Sequence, residues 1–173
     1  MNSMKNLRIA KVTLNVGAGK SQDRLDKGIK LIKMLTGIEP VKTVTQKRLA
    51  AWGLRPGLPI GCKVTLRGEP AKSIMKRMLE ARDNKLTYSH IDNEGNVAFG
   101  LHEYIDIPEA RYDPEIGIMG LQLCATIERP GYRIKNRKLR QKSVPAKHRI
   151  KKEEVIEFLK KEFEVKFEEE ESA

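Results

Sequence analysis

Residues 7–16, LRIAKVTLNV, hold Leu7 and Ile9 on one alternation and Val12, Leu14 and Val16 on the other. Alternation of period two marks a strand with one buried face, and the slip at Lys11 predicts a bulge or kink. From Leu25 the period changes to 3.6: Leu25, Ile29, Ile32 and Leu35 line one side of a helix, with Gly37 placed to cap it and Pro40 soon after. VKTVT (41–45) reads as a short strand. CKVTLRG (62–68) alternates strictly, with Cys62, Val64 and Leu66 on one side and Lys63, Thr65 and Arg67 on the other. Pro70 suits the first turn of a second helix, whose apolar stripe is Ile74, Met75, Met78 and Leu79. Two further strands are expected at 96–107 and 119–129, and an amphipathic helix at 151–163.

Between the hairpin strands, residues 46–61 show no period and carry Gly53, Gly57 and Gly61 with Pro56 and Pro59. Such a stretch reads as a long, mobile loop, and long loops in compact domains tend to be functional. Strands and helices are mixed without regular βαβ alternation. The expected class is therefore α+β: a largely antiparallel sheet with helices packed on one face, a long hairpin loop and a basic C-terminal extension. The length of 173 residues suits a single domain, 1–173, with a core at about 5–129, a basic arm at 130–150, and a terminal helix and acidic tail at 151–173.

LNVGAGKS (14–21) sits between the first strand and the first helix, the setting of a phosphate-binding loop. That loop needs a glycine five positions before its last one. Gly19, Lys20 and Ser21 supply the end of the motif, but the first glycine would fall at Leu14. The loop is too short to wrap a phosphate chain, so it reads as a tight turn.

Charge sharpens the picture. The net charge is +11, the isoelectric point about 9.7, and charged residues make up 33% of the chain. Residues 153–173 hold nine Glu and three Lys, net −6, which leaves +17 on the first 152. Residues 129–152 contain eleven Lys or Arg and no acid, the pattern of an arm laid on a polyanion. Cys62 and Cys124 lack metal spacing and read as buried core thiols of a reducing compartment. No apolar run approaches the ~20 residues of a membrane span, and no signal peptide is read.

Catalytic and metal constellations are missing from the pattern. His90, His102 and His148 are isolated from one another, and Asp83, Asp92 and Asp106 suit loop and cap roles. Nucleic acid fits better. Lys42, Lys47, Arg48, Arg55, Lys63 and Arg67 fall in or beside the hairpin 41–68, and a strand face of Lys, Thr and Arg offers evenly spaced partners for phosphates and 2′-hydroxyls. No zinc finger or base-reading helix is apparent, and at 5% aromatic residues stacking platforms are disfavoured. Backbone and shape reading of structured RNA remains.

The stretches KVTLNVGAGKS, LTGIEPVKTVTQKRLAAWGLRPGLPIGCKVTLRGE, GNVAFGLHEYIDIPEARYDPEIGIMGLQL and PGYRIKNRK together resemble the family of large-subunit ribosomal protein number five, the 5S rRNA-binding one. The resemblance covers nearly all of residues 5–165, and PIGCKVTLRGE is its most specific part. The C-terminal segment resembles the archaeal and eukaryotic branch, and the acidic end points to the archaeal one. The resemblance implies a non-enzymatic constituent of the cytoplasmic 50S subunit, without cofactor or metal. It implies binding to 5S rRNA and 23S rRNA at the central protuberance beside other large-subunit proteins, contact with P-site tRNA, and a bridge to a small-subunit head protein. An extraribosomal RNA-binding regulator or assembly chaperone of the same fold is the alternative.

Carried onto this chain, the implied 5S rRNA contacts are Asn15, Thr43, Lys63, Thr65 and Arg67, flanked by Lys47 and Arg48. The implied tRNA loop is Leu49, Ala50, Ala51, Trp52, Gly53, Leu54, Arg55, Pro56, Gly57, Leu58, Pro59, Ile60 and Gly61. Trp52, Leu54 and Leu58 suggest that it packs by shape rather than by ion pairs. Further rRNA contacts are expected from Arg133, Lys135, Arg137, Lys138, Arg140, Lys142, Lys147 and Arg149. Bacterial members often carry Gln where this chain has Ile38, so an amide contact is not expected there.

Overall fold

The first strand does bend where its alternation slips. The computed structural model describes residues 2–168, and β1 (Arg8–Gly17) shifts register against its neighbour between Ile9 and Lys11. After the shift Val12, Leu14 and Val16 point into the core, each 2% exposed or less. The turn at 18–20 leads into α1 (Gln22–Thr36), whose N-cap is Ser21: its hydroxyl accepts the Arg24 N–H. Gly37, at φ +69°, ends α1 in the left-handed cap that a side chain would strain, donating its N–H to Lys33 O.

β2 (Val41–Val44) and β3 (Pro59–Leu66) form the hairpin, and β5 (Asn96–Leu101) and β6 (Leu121–Glu128) complete the sheet. The order is β2-β3-β1-β6-β5, and every pairing is antiparallel. α1 lies over β1 and β3, and α2 (Glu69–Glu80) over β1 and β6. Leu25, Leu31 and Ile32 of α1 and Met75, Met78 and Leu79 of α2 are almost wholly buried against Leu14, Val64, Leu123 and Ile127. Burying a side chain of that size contributes about 1.5–3 kcal/mol. This is the α+β arrangement the patterning predicts, with α1 and α2 on one face.

The C-terminal part departs from expectation in three places. The strand expected at 96–107 stops at Leu101, because Tyr104 turns fully inward and its hydroxyl accepts the Asp113 N–H at 2.9 Å. The basic segment, read as an arm laid on a polyanion, folds back against the rest of the chain. It contains α3 (Arg133–Asn136), buries Val144 and Ile150, and is tied at its root by Arg129, which pairs with Glu154 at 2.5 Å. Tyr132 Oη donates to His148 O and accepts the Ile150 N–H. α4 (Lys152–Phe163) then places Val155 and Leu159 in the main core. Glu168, expected in a solvated tail, belongs to β7 (Lys166–Glu168), which runs parallel to β4 (Lys85–Thr87), and its carboxylate pairs with Lys85 at 3.0 Å. That contact raises the Lys85 pKa. The acidic residues after 168 lie outside the described residues.

Candidate nucleic-acid interface

α1 and α2 leave the second face of the sheet open, α3 stands at one end of it, and the register states what the face presents. Asn15 sits between Lys63 on β3 and Gln122 on β6. Thr13 sits between Thr65 and Cys124, with Ala98 beyond Cys124 on β5. Short side chains therefore run across the middle of the face. They are joined laterally by Thr13 Oγ1 to Thr65 Oγ1 and by Asn15 Nδ2 donating to Gln122 Oε1, both at 3.5 Å. Hydroxyls and amides at this spacing hold one another in place and still offer hydrogen-bonding capacity outward.

Lys63, Thr65 and Arg67 all project from this face, while Cys62, Val64 and Leu66 face the core. Thr43 lies opposite Gly61 in the hairpin. Any side chain at 61 would meet Val16 O at 2.6 Å and Thr43 Oγ1 at 3.1 Å, so glycine there lets the strands close beneath Thr43. Asn15, Thr43, Lys63, Thr65 and Arg67 are thus brought to one surface. Lys47 and Arg48 are exposed on the run from β2 into the hairpin tip. Lys11 and Arg8 on β1 are exposed also, and sequence reasoning left both out. The signal for Lys11 is that Lys11, Thr13 and Asn15 alternate out of phase with the buried Val12, Leu14 and Val16; Arg8 lies beyond the bulge at Ala10, which interrupts that alternation.

The tip differs from the expected loop. Pro59, Ile60 and Gly61 are strand residues of β3, and Ile60 O accepts the N–H groups of both Ala18 and Gly19, at 2.9 and 3.1 Å. Those two amides of GAGKS are therefore occupied by backbone, which supports the reading of that motif as a turn. Thr45 and Leu58 continue the hairpin, and Leu49 and Leu54 exchange backbone hydrogen bonds at 3.0 and 3.1 Å around a turn at Ala50–Trp52. Leu54 turns inward at 6% exposure, so it is not available to a partner, whereas Trp52 stands out at 70%. Ala50, Ala51, Gly53, Arg55, Pro56 and Gly57 are exposed and Leu58 is half-buried.

On the basic segment, Arg133, Lys138, Arg140, Lys142 and Lys147 are exposed. Lys135 pairs with Glu94 at 3.4 Å. Arg137 Nε donates to Arg140 O and Arg149 Nε to Val144 O, so these two guanidiniums also hold the segment's shape. The cysteines part company. Cys62 is buried, and burial pushes its thiol up to about 11, whereas Cys124 is exposed on the open face and is not a core thiol. His148 Nε2 donates to Pro130 O at 2.9 Å, a structural bond.

Comparison with known proteins agrees with this geometry. Residues 2–55 match the model of the family described as ribosomal protein L5, and residues 59–158 match the model of that ribosomal family's C-terminus. A protein of Nanoarchaeum equitans named large ribosomal subunit protein uL5 is 49% identical over 160 residues, 92% of this chain and 94% of its own. Its namesake in Methanococcus vannielii is 48% identical over 163 residues, covering 92% and 90%, and that of Sulfurisphaera tokodaii 43% over 166, covering 95% and 94%. With both family models matched along nearly the whole chain and archaeal relatives at this identity, the chain belongs to the ribosomal protein L5 family, in its archaeal form.

Proposed function

We propose that this member of the L5 family, a non-enzymatic structural constituent of the large ribosomal subunit in the cytoplasm, holds 5S rRNA on the open face of its sheet. Asn15, Thr43, Lys63, Thr65 and Arg67 make the contacts, with Lys47 and Arg48 at the margin. The basic residues from Arg133 to Arg149 hold 23S rRNA at the central protuberance, and the tip from Leu49 to Leu58 meets P-site tRNA with Trp52 foremost. The same part of the particle bridges to a small-subunit head protein.

One observation carries the reading: a five-stranded sheet with one face packed by α1 and α2 and the other carrying short polar side chains bordered by cations. A flat polar face suits the shallow minor groove of structured RNA, where 2′-hydroxyls and phosphates are read without reaching bases. Filter binding of the full chain to 5S rRNA across a salt series tests it. Each phosphate contact contributes a slope of about −0.7 to −0.9 in log K against log salt, so a steep line is expected and a flat one overturns the reading. Replacing residues 50–53 by Asn-Gly keeps the Thr45–Leu58 hairpin. It is expected to leave 5S rRNA binding intact and to weaken tRNA retention in the P site of reconstituted particles. Equal loss of both, with circular dichroism unchanged, means that face and tip are one surface.

A further inference from the structure

At one end the open face is not flat. There the sheet and the basic segment enclose a hollow of about 410 Å³, walled by Lys11 of β1, by Arg67 just past the end of β3 and by Arg133 of α3. Arg8 and Lys135 line it too, but each has an acid. Arg8 reaches Glu128 at 3.7 Å and Lys135 reaches Glu94 at 3.4 Å, and both acids belong to the same wall. Among the described residues, Lys11, Arg67 and Arg133 form no ion pair.

Three unpaired cations delivered to one hollow by separate elements repel one another, and the acids nearby are already engaged. An anion that enters relieves the repulsion and meets two planar guanidinium forks, which match phosphate oxygens two at a time. The volume lies near the lower end of the ~300–1,000 Å³ typical of small-ligand clefts, enough for a phosphate and its flanking sugar but not for a duplex.

We infer that this hollow seats one phosphate of an RNA backbone, gripped jointly by Lys11 of β1, Arg67 at the end of β3 and Arg133 of the basic segment. The inference rests on the RNA-binding reading above and deepens it. Face and basic segment hold the same strand at this point, as two jaws of one cleft, instead of serving two RNAs separately.

The test titrates an RNA trinucleotide into the isotope-labelled full chain and follows backbone amide resonances. Those of residues 11, 67 and 133 are expected to shift together with one dissociation constant. Arg67→Ala abolishes the shifts at 11 and 133, and Arg67→Lys, which keeps the charge but loses the fork, leaves weakened ones. Shifts spread evenly over all basic residues overturn the inference, as does an equal response to a hexaglutamate peptide. A second measurement uses 5S rRNA. Arg67→Ala, Arg133→Ala and the double variant should each lower the salt slope by the same step of about 0.7–0.9, the share of one phosphate. A double variant that loses two steps has two separate phosphates and ends the proposal. If the trinucleotide shifts all three residues but 5S rRNA does not bind, the reading in the preceding section falls and the seat stands. If 5S rRNA binds and the three residues do not respond, the seat alone falls.

Discussion

The two faces of the five-stranded sheet are made by the same strands, one residue apart, and they obey opposite rules. On the helix side Val12, Leu14, Val64, Leu66, Leu123 and Ala125 are at most 5% exposed and belong to one continuous core. On the open side Lys11, Lys63, Thr65, Arg67, Gln122 and Cys124 reach solvent. The first set is held by volume, since close-packed interiors register the loss of even a methylene. The second is held by almost nothing inside the chain, apart from the lateral contacts of Thr13 with Thr65 and Asn15 with Gln122. Side chains that stability does not need, presented on a rigid backbone that stability does need, are free to serve a partner. Substitutions on the two faces should therefore fail in different assays.

The widest contrast is between the two cysteines. In the native protein a thiol reagent at about pH 8 should modify Cys124 and leave Cys62 untouched, read by intact-mass spectrometry. Bound 5S rRNA should slow the labelling of Cys124. Unslowed labelling in a saturated complex would put the RNA elsewhere than the open face.

Next in size is stability. Leu14→Ala removes a fully buried side chain and should cost about 2–5 kcal/mol in a denaturant melt. Its neighbour on the other face, Thr13→Ala, should stay within about 0.5 kcal/mol. A Thr13 variant as damaging as the Leu14 one would break the comparison.

Thr65→Val probes the open face more finely. It keeps the shape and strand preference and deletes the hydroxyl that faces Thr13. RNA affinity should fall by about 0.5–1.5 kcal/mol, the net share of one hydrogen bond, with the melt unchanged. Unaltered affinity in the filter assay takes Thr65 out of the interface.

The smallest effect is one of pH, at a turn rather than on either face. Burial works to raise the Asp92 pKa, but hydrogen bonds from the Asn96 side chain and from the N–H groups of Asn96, Glu94 and Gly95 outweigh it and lower the value. A carboxylate lowered in the folded state stabilises above its unfolded value of about 3.9 and loses that contribution as pH falls through the folded one. Wild type should accordingly be slightly more stable than Asp92→Asn near pH 6, and the gap should narrow steadily below about pH 4 in paired thermal melts. A gap that does not narrow at all as pH falls from about 4 to about 2 would assign it to shape rather than charge.

Much of this molecule is legible in its sequence where the determinants are local. Period two separates Lys63, Thr65 and Arg67 from Cys62, Val64 and Leu66 without any knowledge of neighbours, because adjacent side chains on a strand point to opposite sides. The cap at Gly37 and the slip beside Lys11 are local too, and each stands where the pattern puts it. Cys124 obeys period two as well: Gln122, Thr126 and Glu128 share its side, and Leu121, Leu123, Ala125 and Ile127 take the other. Assigning it to the core fails because that assignment rests on residue type instead of phase. Leu54 escapes local reading because a lone apolar residue among glycines and prolines has no periodic neighbour to say where it points. Glu168 becomes a strand residue because β4, some eighty positions earlier, offers it an edge.

The basic segment shows the limit most clearly. Eleven cations without an acid read as an arm laid on a polyanion as long as only the segment is considered. Folded, it borrows what it lacks: Glu154 of α4 for Arg129, Glu94 of a distant turn for Lys135, and buried places for Val144 and Ile150. Residue types, strand faces, helix ends and overall charge were settled by the chain's own order, because they depend on neighbours within a few positions. The tertiary structure alone decided that Lys11, Arg67 and Arg133 line one hollow. Antiparallel pairing and the folding back of the segment bring together residues far apart in the sequence, and no local pattern encodes that meeting.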